Sequence, residues 1–192
     1  MPTTATPNVL TDPGYLFWAP IGSTEPTNTV VGSKFTDTWP AAWLSLGATE
    51  EGSQFSYQIN IEAITVAEFF DPISYRTTAR SGSFAFNLAD YTLTNWKRAA
   101  NGGAVTVVSG TGATTLNKWE APDPGSEVRA MLGWESLDST MRIVMRQCIN
   151  GENIQSAYRK APSLAVIPCT FNFEVPTAAK PFSFYTAGVS RG

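Results

Sequence analysis

From Ser53 to Pro72 the chain reads SQFSYQINIEAITVAEFFDP. Phe55, Tyr57, Ile59 and Ile61 alternate with Ser56, Gln58, Asn60 and Glu62, the two-residue period of a strand with one apolar face. The phase then slips, and Ile64 and Val66 are apolar on the other parity. Length makes the slip matter. Extended at about 3.3 Å per residue, positions 53–67 span roughly 50 Å. A compact chain of this size has a diameter of about 40 Å. Either the strand bends at a bulge near Glu62–Ala63, which would also shift the phase, or its second half leaves the subunit. In the second case Ile64, Val66, Phe69 and Phe70 are buried by a neighbour.

Other alternating or apolar runs predict strands at 14–20, 41–49, 81–89, 104–109, 114–120, 128–136, 140–149, 164–175 and 182–188. The long strand continues through ISYRTTA to Ala79. Turn signals lie between the later runs: GTGA, APDPGS, LDS and NGEN. One helix is expected over about 91–101. Asp90 or Thr92 caps it, Leu93, Trp96, Ala99 and Ala100 share its inner face, Lys97 and Arg98 suit its C-terminal dipole, and Asn101–Gly103 ends it. Residues 21–40 hold many Thr, Ser, Gly and Pro, predicting a long loop or a poorly buried hairpin, an element usually kept for a use. Residues 1–13 read as a flexible N-terminal arm and 14–192 as a single domain. Together these predict a mainly β fold, an antiparallel sandwich or barrel with one flanking helix and long loops.

Charged residues make up only 15% of the 192-residue chain, against roughly 25% in ordinary soluble domains. An oligomer, which hides surface, fits that better than a monomer. Net charge is −3 and no basic run is present, so a duplex-gripping surface is not expected. Glu50, Glu51, Glu62, Glu68 and Asp71 follow one another with no intervening Lys or Arg. A solvated face is the plain explanation.

The absence of histidine removes the commonest general base and metal ligand. No G-x-S-x-G elbow, phosphate-binding Lys loop or G-x-G-x-x-G is present, and Glu62 and Glu68 are too far apart along a strand for paired-carboxylate chemistry. No enzyme and no cofactor is expected. Cys148 and Cys169 lie in apolar runs and are read as buried free thiols, with a disulfide between neighbouring strands the alternative. The start MPTTATPNVLTDPG has neither the basic end nor the apolar core of a signal peptide, and no run is long enough to cross a membrane. Synthesis and assembly in a cytoplasm are therefore expected. Of the six Trp residues, Trp39 and Trp119 border loops and are the better candidates for contact surfaces. They keep open a rival reading, a β-sandwich carbohydrate-binding or adhesion module.

GYLFWAPIGSTEPT, FTDTWPAAWLSLGATEEGSQFSYQ, VAEFFDPISYRTTARSGSFAFNLADYTLTNWKRAANGG, GATTLNKWEAPDPGSEVRAMLGWES and FNFEV…PFSFYTAG occur in this order over residues 14–188. In that order and spacing the chain resembles the major tail tube proteins of long-tailed bacteriophages, particularly those of phages infecting actinobacteria. The resemblance implies a tail-tube β-sandwich whose hexameric rings stack into a hollow tube conducting DNA to the host. It implies as partners other copies of the chain, a tape-measure protein, a tail terminator and tail-tip proteins, with DNA only as passing cargo. The implied location is the virion tail. Tubes of contractile machines and secretion-system rings share the fold. Under this resemblance Glu50, Glu51, Glu62 and Glu68 are lumen-facing candidates, where acids would repel phosphates. Trp39, Ile64, Val66, Phe69, Phe70 and Tyr75 are candidates for contacts between subunits or rings. The first half of the 53–72 stretch would pack on its own subunit's core, and the second would enter the shared sheet or reach the next ring.

Overall fold

The computed structural model describes residues 13–158 and 164–188. The expected N-terminal arm, apart from Pro13, lies outside the described residues. The fold is mainly β, with antiparallel pairing throughout and, among the described residues, one α-helix.

The first strand, β1 (Gly14–Pro20), pairs along its whole length with β9 (Ala130–Ser136) and at its far edge with β4 (Leu44–Ser45). On the other side β9 pairs with β10 (Met141–Asn150). A bulge at Arg146–Gln147 divides β10. Its first half pairs with β12 (Phe182–Thr186), and its last three residues pair with β11 (Ile167–Phe173). The path continues from β11 to β6 (Ser74–Leu88) and ends at β5 (Thr49–Ile64). Two small hairpins stand apart, β2 (Val30–Val31) with β3 (Lys34–Phe35), and β7 (Ala104–Ser109) with β8 (Leu116–Glu120).

One core cluster joins the two ends of this path. Leu16, Leu132, Trp134, Ile143 and Met145 come from the β1–β9–β10 half, and Phe84, Phe86, Leu88, Ile167 and Phe171 from the β6–β11 half. Each strand supplies every second residue, so the halves face each other across a shared apolar interior. Cys148 and Cys169 lie in this core as free thiols, as expected, and burial pushes Cys169 up to about 12 and Cys148 higher still.

The helix, α1 (Leu93–Ala99), is shorter than expected and begins at Thr92, whose hydroxyl accepts the Asn95 amide. Asn95 and Ala99 are its buried residues, while Leu93 is exposed. Asn95 is buried because its side-chain amide donates to the carbonyls of Leu46 and Asp90. A polar residue thereby ties the helix to the β4–β5 link, which apolar periodicity alone does not reveal.

The strand expected at 41–49 is interrupted. A turn bond from the Trp43 amide to the Pro40 carbonyl opens it, and Gly47 at φ 84° bends it, so that Leu44–Ser45 pairs with β1 while Thr49 already belongs to β5, opposite Leu88. The strands expected separately at 53–79 and 81–89 instead form one hairpin, β5 with β6, whose returning strand is unbroken over 15 residues.

The 21–40 segment is a strap with its own small hairpin, held to the body by ion pairs. Arg142 on β10 is 1% exposed and lies 3.0 Å from Asp37 and 2.9 Å from Glu135. Its guanidinium also donates to the Asp37 carbonyl at 2.6 Å and stacks over the Phe35 ring at 4.6 Å. Arg146 pairs with Glu25, and the Trp43 indole donates to the Thr24 carbonyl. The strap's use, within this chain, is to close the outer face of β9 and β10.

Candidate functional site

The feature that the core does not explain is the outer part of the β5–β6 hairpin. Among the described residues, β6 below Ser83 has no partner but β5, and β5 has no other partner. Positions 56–64 and 74–82 therefore form a two-stranded arm with open edges on both sides, and nine extended residues carry it roughly 30 Å from its root. A nine-residue connection (65–73) closes the tip, with turn bonds from Phe69 to the Val66 carbonyl and from Ile73 to the Ile64 carbonyl.

The root is anchored by aromatics. Phe55 meets Phe173, Phe182 and Phe184 at ring-centroid distances of 5.3, 5.1 and 4.9 Å, and Tyr57 meets Phe182 at 5.1 Å. Gly82 makes room for this, since a Cβ there would lie 2.6 Å from the Phe173 ring. Beyond Tyr57 the packing stops.

Register assigns the arm two unlike faces. Ile59, Ile61 and Ala63 stand opposite Arg80, Thr77 and Tyr75, giving an apolar face with Ile61 62% and Tyr75 68% exposed. Ser56, Gln58, Asn60 and Glu62 stand opposite Ser83, Ser81, Ala79 and Arg76, giving a polar one. On the polar face the Gln58 amide donates to Asn60 across two residues, as same-face neighbours do.

An isolated two-stranded hairpin is marginally stable in water. Exposed strand edges invite pairing, which proteins usually block with Lys, Pro or an early bulge. The arm between Ser56 and Ile64 has no Lys and no Pro. Two of these usual blocks are thus absent from β5 along the arm.

The acidic candidates do not form one cluster. Glu50 and Glu51 sit at the root, where Glu51 (φ 59°) and Gly52 (φ 82°) make a bulge in β5. Glu62 is on the polar face, across from Arg76, and Glu68 is in the tip. The stretch that carries only acids in sequence order gains Arg76 and Arg80 from the returning strand, so the arm is close to neutral in space.

Among the contact candidates, Phe69, Phe70, Ile64 and Tyr75 are exposed on the tip and outer arm, with Phe70 standing fully clear at 108%. Val66 is half-buried within the tip turn. Trp39 is elsewhere. It stacks on Phe17 at 4.5 Å, tilts against Trp43 at 4.8 Å and donates its indole N–H to Glu135, so its ring holds the strap to the body rather than facing outward. Trp119 packs towards Trp96 at 6.1 Å.

The arm also corrects the reading of the phase slip. The extra residue lies on the facing strand, where Thr78 is inserted opposite Asn60–Ile61 and its hydroxyl donates to the Asn60 carbonyl. It is not at Glu62–Ala63. Ile64 is the last paired residue before the tip, and Val66 belongs to the turn. Nor does the first half of the stretch pack on the core: Phe55 does, but Ile59 and Ile61 are exposed. Their exposure follows from an alternation that runs on past the reach of the body.

A concavity of about 540 Å³ opens beside the strap, lined by Tyr15, Phe17, Trp39, Asp37, Glu135 and Arg142 among others. No group of three or more metal-ligating side chains occurs among the described residues, and none of the described helices is long and apolar enough to cross a membrane. Comparison with family models and with curated proteins found no match.

Proposed function

We propose that this chain is the structural subunit of a long-tailed phage tail tube, in which hexameric rings stack into a hollow conduit for DNA. The observation that carries the reading is the β-arm, a long hairpin with open edges and an apolar face that the described residues leave uncovered. Arms from neighbouring copies, joined edge to edge around a ring, satisfy those edges and leave no free strand to recruit further chains. The apolar face turns towards the protein wall and the polar face of Ser56, Gln58, Asn60 and Glu62 towards the channel. Its amides and hydroxyls are uncharged and its one cation, Arg76, is faced by Glu62, so the face offers passing phosphates no net positive charge. In this reading Glu62 is the lumen-facing acid best placed by register, and Glu50 and Glu51 stand further back at the root.

Terminator and tail-tip proteins would meet the ends of the stack, and a tape-measure protein, like DNA, would pass through its channel. The carbohydrate-binding reading draws on the aromatic concavity beside the strap. It is the weaker of the two, because Trp39 and Trp43 spend their ring faces on Phe17 and on each other.

Negative-stain electron microscopy of the purified chain over a concentration series tests the proposal. Rings with a central hole or hollow rods are the expected result. Particles of single-subunit size at every concentration, with binding in a glycan screen, would replace it by the carbohydrate reading.

A further inference from the structure

The arm tip carries Glu68, Phe69, Phe70 and Asp71 in succession, two exposed aromatic rings between two carboxylates. Such a segment suits an apolar cleft rimmed by cations. At the C-terminal end of β1, a cleft of about 390 Å³ is formed by Trp18, Pro20 and Leu44 on one side and by Lys97, Arg98 and Val128 on the other. Leu44 and Val128 are exposed there although they are apolar. Arg98 lies over the Trp18 ring at 5.4 Å and donates to Asn95 at 2.9 Å. Among the described residues neither Arg98 nor Lys97 has a carboxylate within 4.0 Å, so both cations stand beside an apolar floor outside any ion pair.

Strand direction fixes where this cleft lies relative to the arm. All pairings from β4 to β5 are antiparallel, so direction alternates along the path β4, β1, β9, β10, β11, β6, β5. The end of β1, the start of β4 and the end of β6 therefore share one pole of the body, and α1 follows directly from β6 at that pole. The arm leaves from the other pole. Donor and acceptor on opposite poles make a head-to-tail contact, which repeats from copy to copy without closing on itself in pairs.

We propose that the arm tip of one copy seats in the Trp18–Arg98–Val128 cleft of the next, with Phe70 on the apolar floor and Glu68 and Asp71 facing Arg98 and Lys97. The proposal rests on the tube reading for its setting but names a contact that reading does not specify. Burial pulls the Arg98 guanidinium below its ordinary value, with Asp90 opposing, and a carboxylate delivered from outside would relieve that cost. A second apolar cleft with cations, around Tyr57, Arg80, Phe173 and Lys180, lies at the arm's own root. A tip placed there would give a two-fold pair that stops at two copies.

The test is photo-cross-linking from position 70. Full-length protein with benzoylphenylalanine in place of Phe70 is irradiated at assembling concentrations, and adducts are mapped by mass spectrometry while the same samples are imaged. The expected adducts join copies at the peptides containing Trp18, Leu44 or Val128. Arg98→Glu should lower their yield about tenfold, as loss of a charge-assisted contact does. The pair Glu68→Lys and Asp71→Lys, mixed with the Arg98→Glu chain, should recover it. Because Arg98 belongs to α1 and bonds Asn95 within it, Phe70→Ser is the second variant. That side chain is fully clear of the fold, and its loss should abolish assembly with the denaturation midpoint unchanged. Rings or rods with adducts at Arg80, Phe173 or Lys180, or with no adduct at the cleft, would overturn the cleft while leaving the tube standing. Cleft adducts without rings or rods would do the reverse. No inter-copy adduct at any concentration would overturn the proposal outright.

Discussion

Arg142 and Asp37, 105 residues apart in sequence, meet at 3.0 Å with the arginine side chain only 1% exposed. Glu135 takes the other side of the same guanidinium, so a cation in the interior is matched by two acids from separate parts of the chain. Removing one acid leaves the rest of a buried network unbalanced, which costs about 3–5 kcal/mol. Asp37→Ala should therefore lose roughly that much stability in urea denaturation. The exposed pair Lys118–Glu120 is the control, and Lys118→Ala should change the midpoint by less than about 0.5 kcal/mol. Equal effects at the two sites would show that the strap is not fastened by its ion pair.

The same contact makes stability depend on acid. Burial alone would raise the Asp37 carboxyl, but the Asn28 amide and the Arg142 guanidinium outweigh it and hold it below its ordinary 3.8. Asp138 is lowered by the Ser136 hydroxyl and by Thr140, against some burial, and Glu174 by Arg129 and Gln147. A carboxyl whose folded value lies below its unfolded one contributes stability that is complete above the unfolded value. That contribution is lost as pH falls through the folded value. The melting midpoint should hold steady down to about pH 5 and drop below about pH 4. In Asp37→Asn the drop should be shallower, measured by circular dichroism across that range.

Gly133 lets Trp39 lie against β9, since a Cβ at that position would come within 2.4 Å of the indole ring. Gly133→Val should push the indole out, break its bond to Glu135 and cost about 1–3 kcal/mol. Near-ultraviolet circular dichroism should lose the signal of the Phe17–Trp39–Trp43 stack. A wild-type spectrum from the folded variant would contradict that seating.

Ile59 and Ile61 are exposed on the arm and touch no core residue cluster. The double change to Ser should leave the denaturation midpoint within about 0.5 kcal/mol of wild type. It should also prevent assembly seen by sedimentation and electron microscopy. Intact assembly would remove the apolar arm face from the interface.

Much of the body was legible in the sequence. The strand at 14–20 and those at 128–136, 140–149 and 182–188 appear within a few residues of their expected bounds, because each alternates over a shared core. The arm was legible as a conflict between length and size, but its topology was not. Nothing in the run from Ser53 says that ISYRTTA and SGSFAF are one strand, since the bulge at Thr78 disguises the register. The strap was visible as a long polar segment. Its anchoring by Asp37 and Arg142 was not, because pairing between distant residues leaves no local periodicity. Trp39 misled for a related reason. A tryptophan beside a proline in a loop reads as exposed until the glycine facing it, 94 positions along the chain, is known to be there.

The arm shares no residue between Ser56 and Gly82 with the buried interior. Its reach is thus a variable that the interior does not constrain. Two residues added to each of its strands would preserve which side every side chain points to and extend it by about 7 Å. Folding of the body would be untouched, while under the proposed tip contact the repeat distance between successive copies would change. The length of the hairpin can thus vary independently of the sequence that makes the body stable.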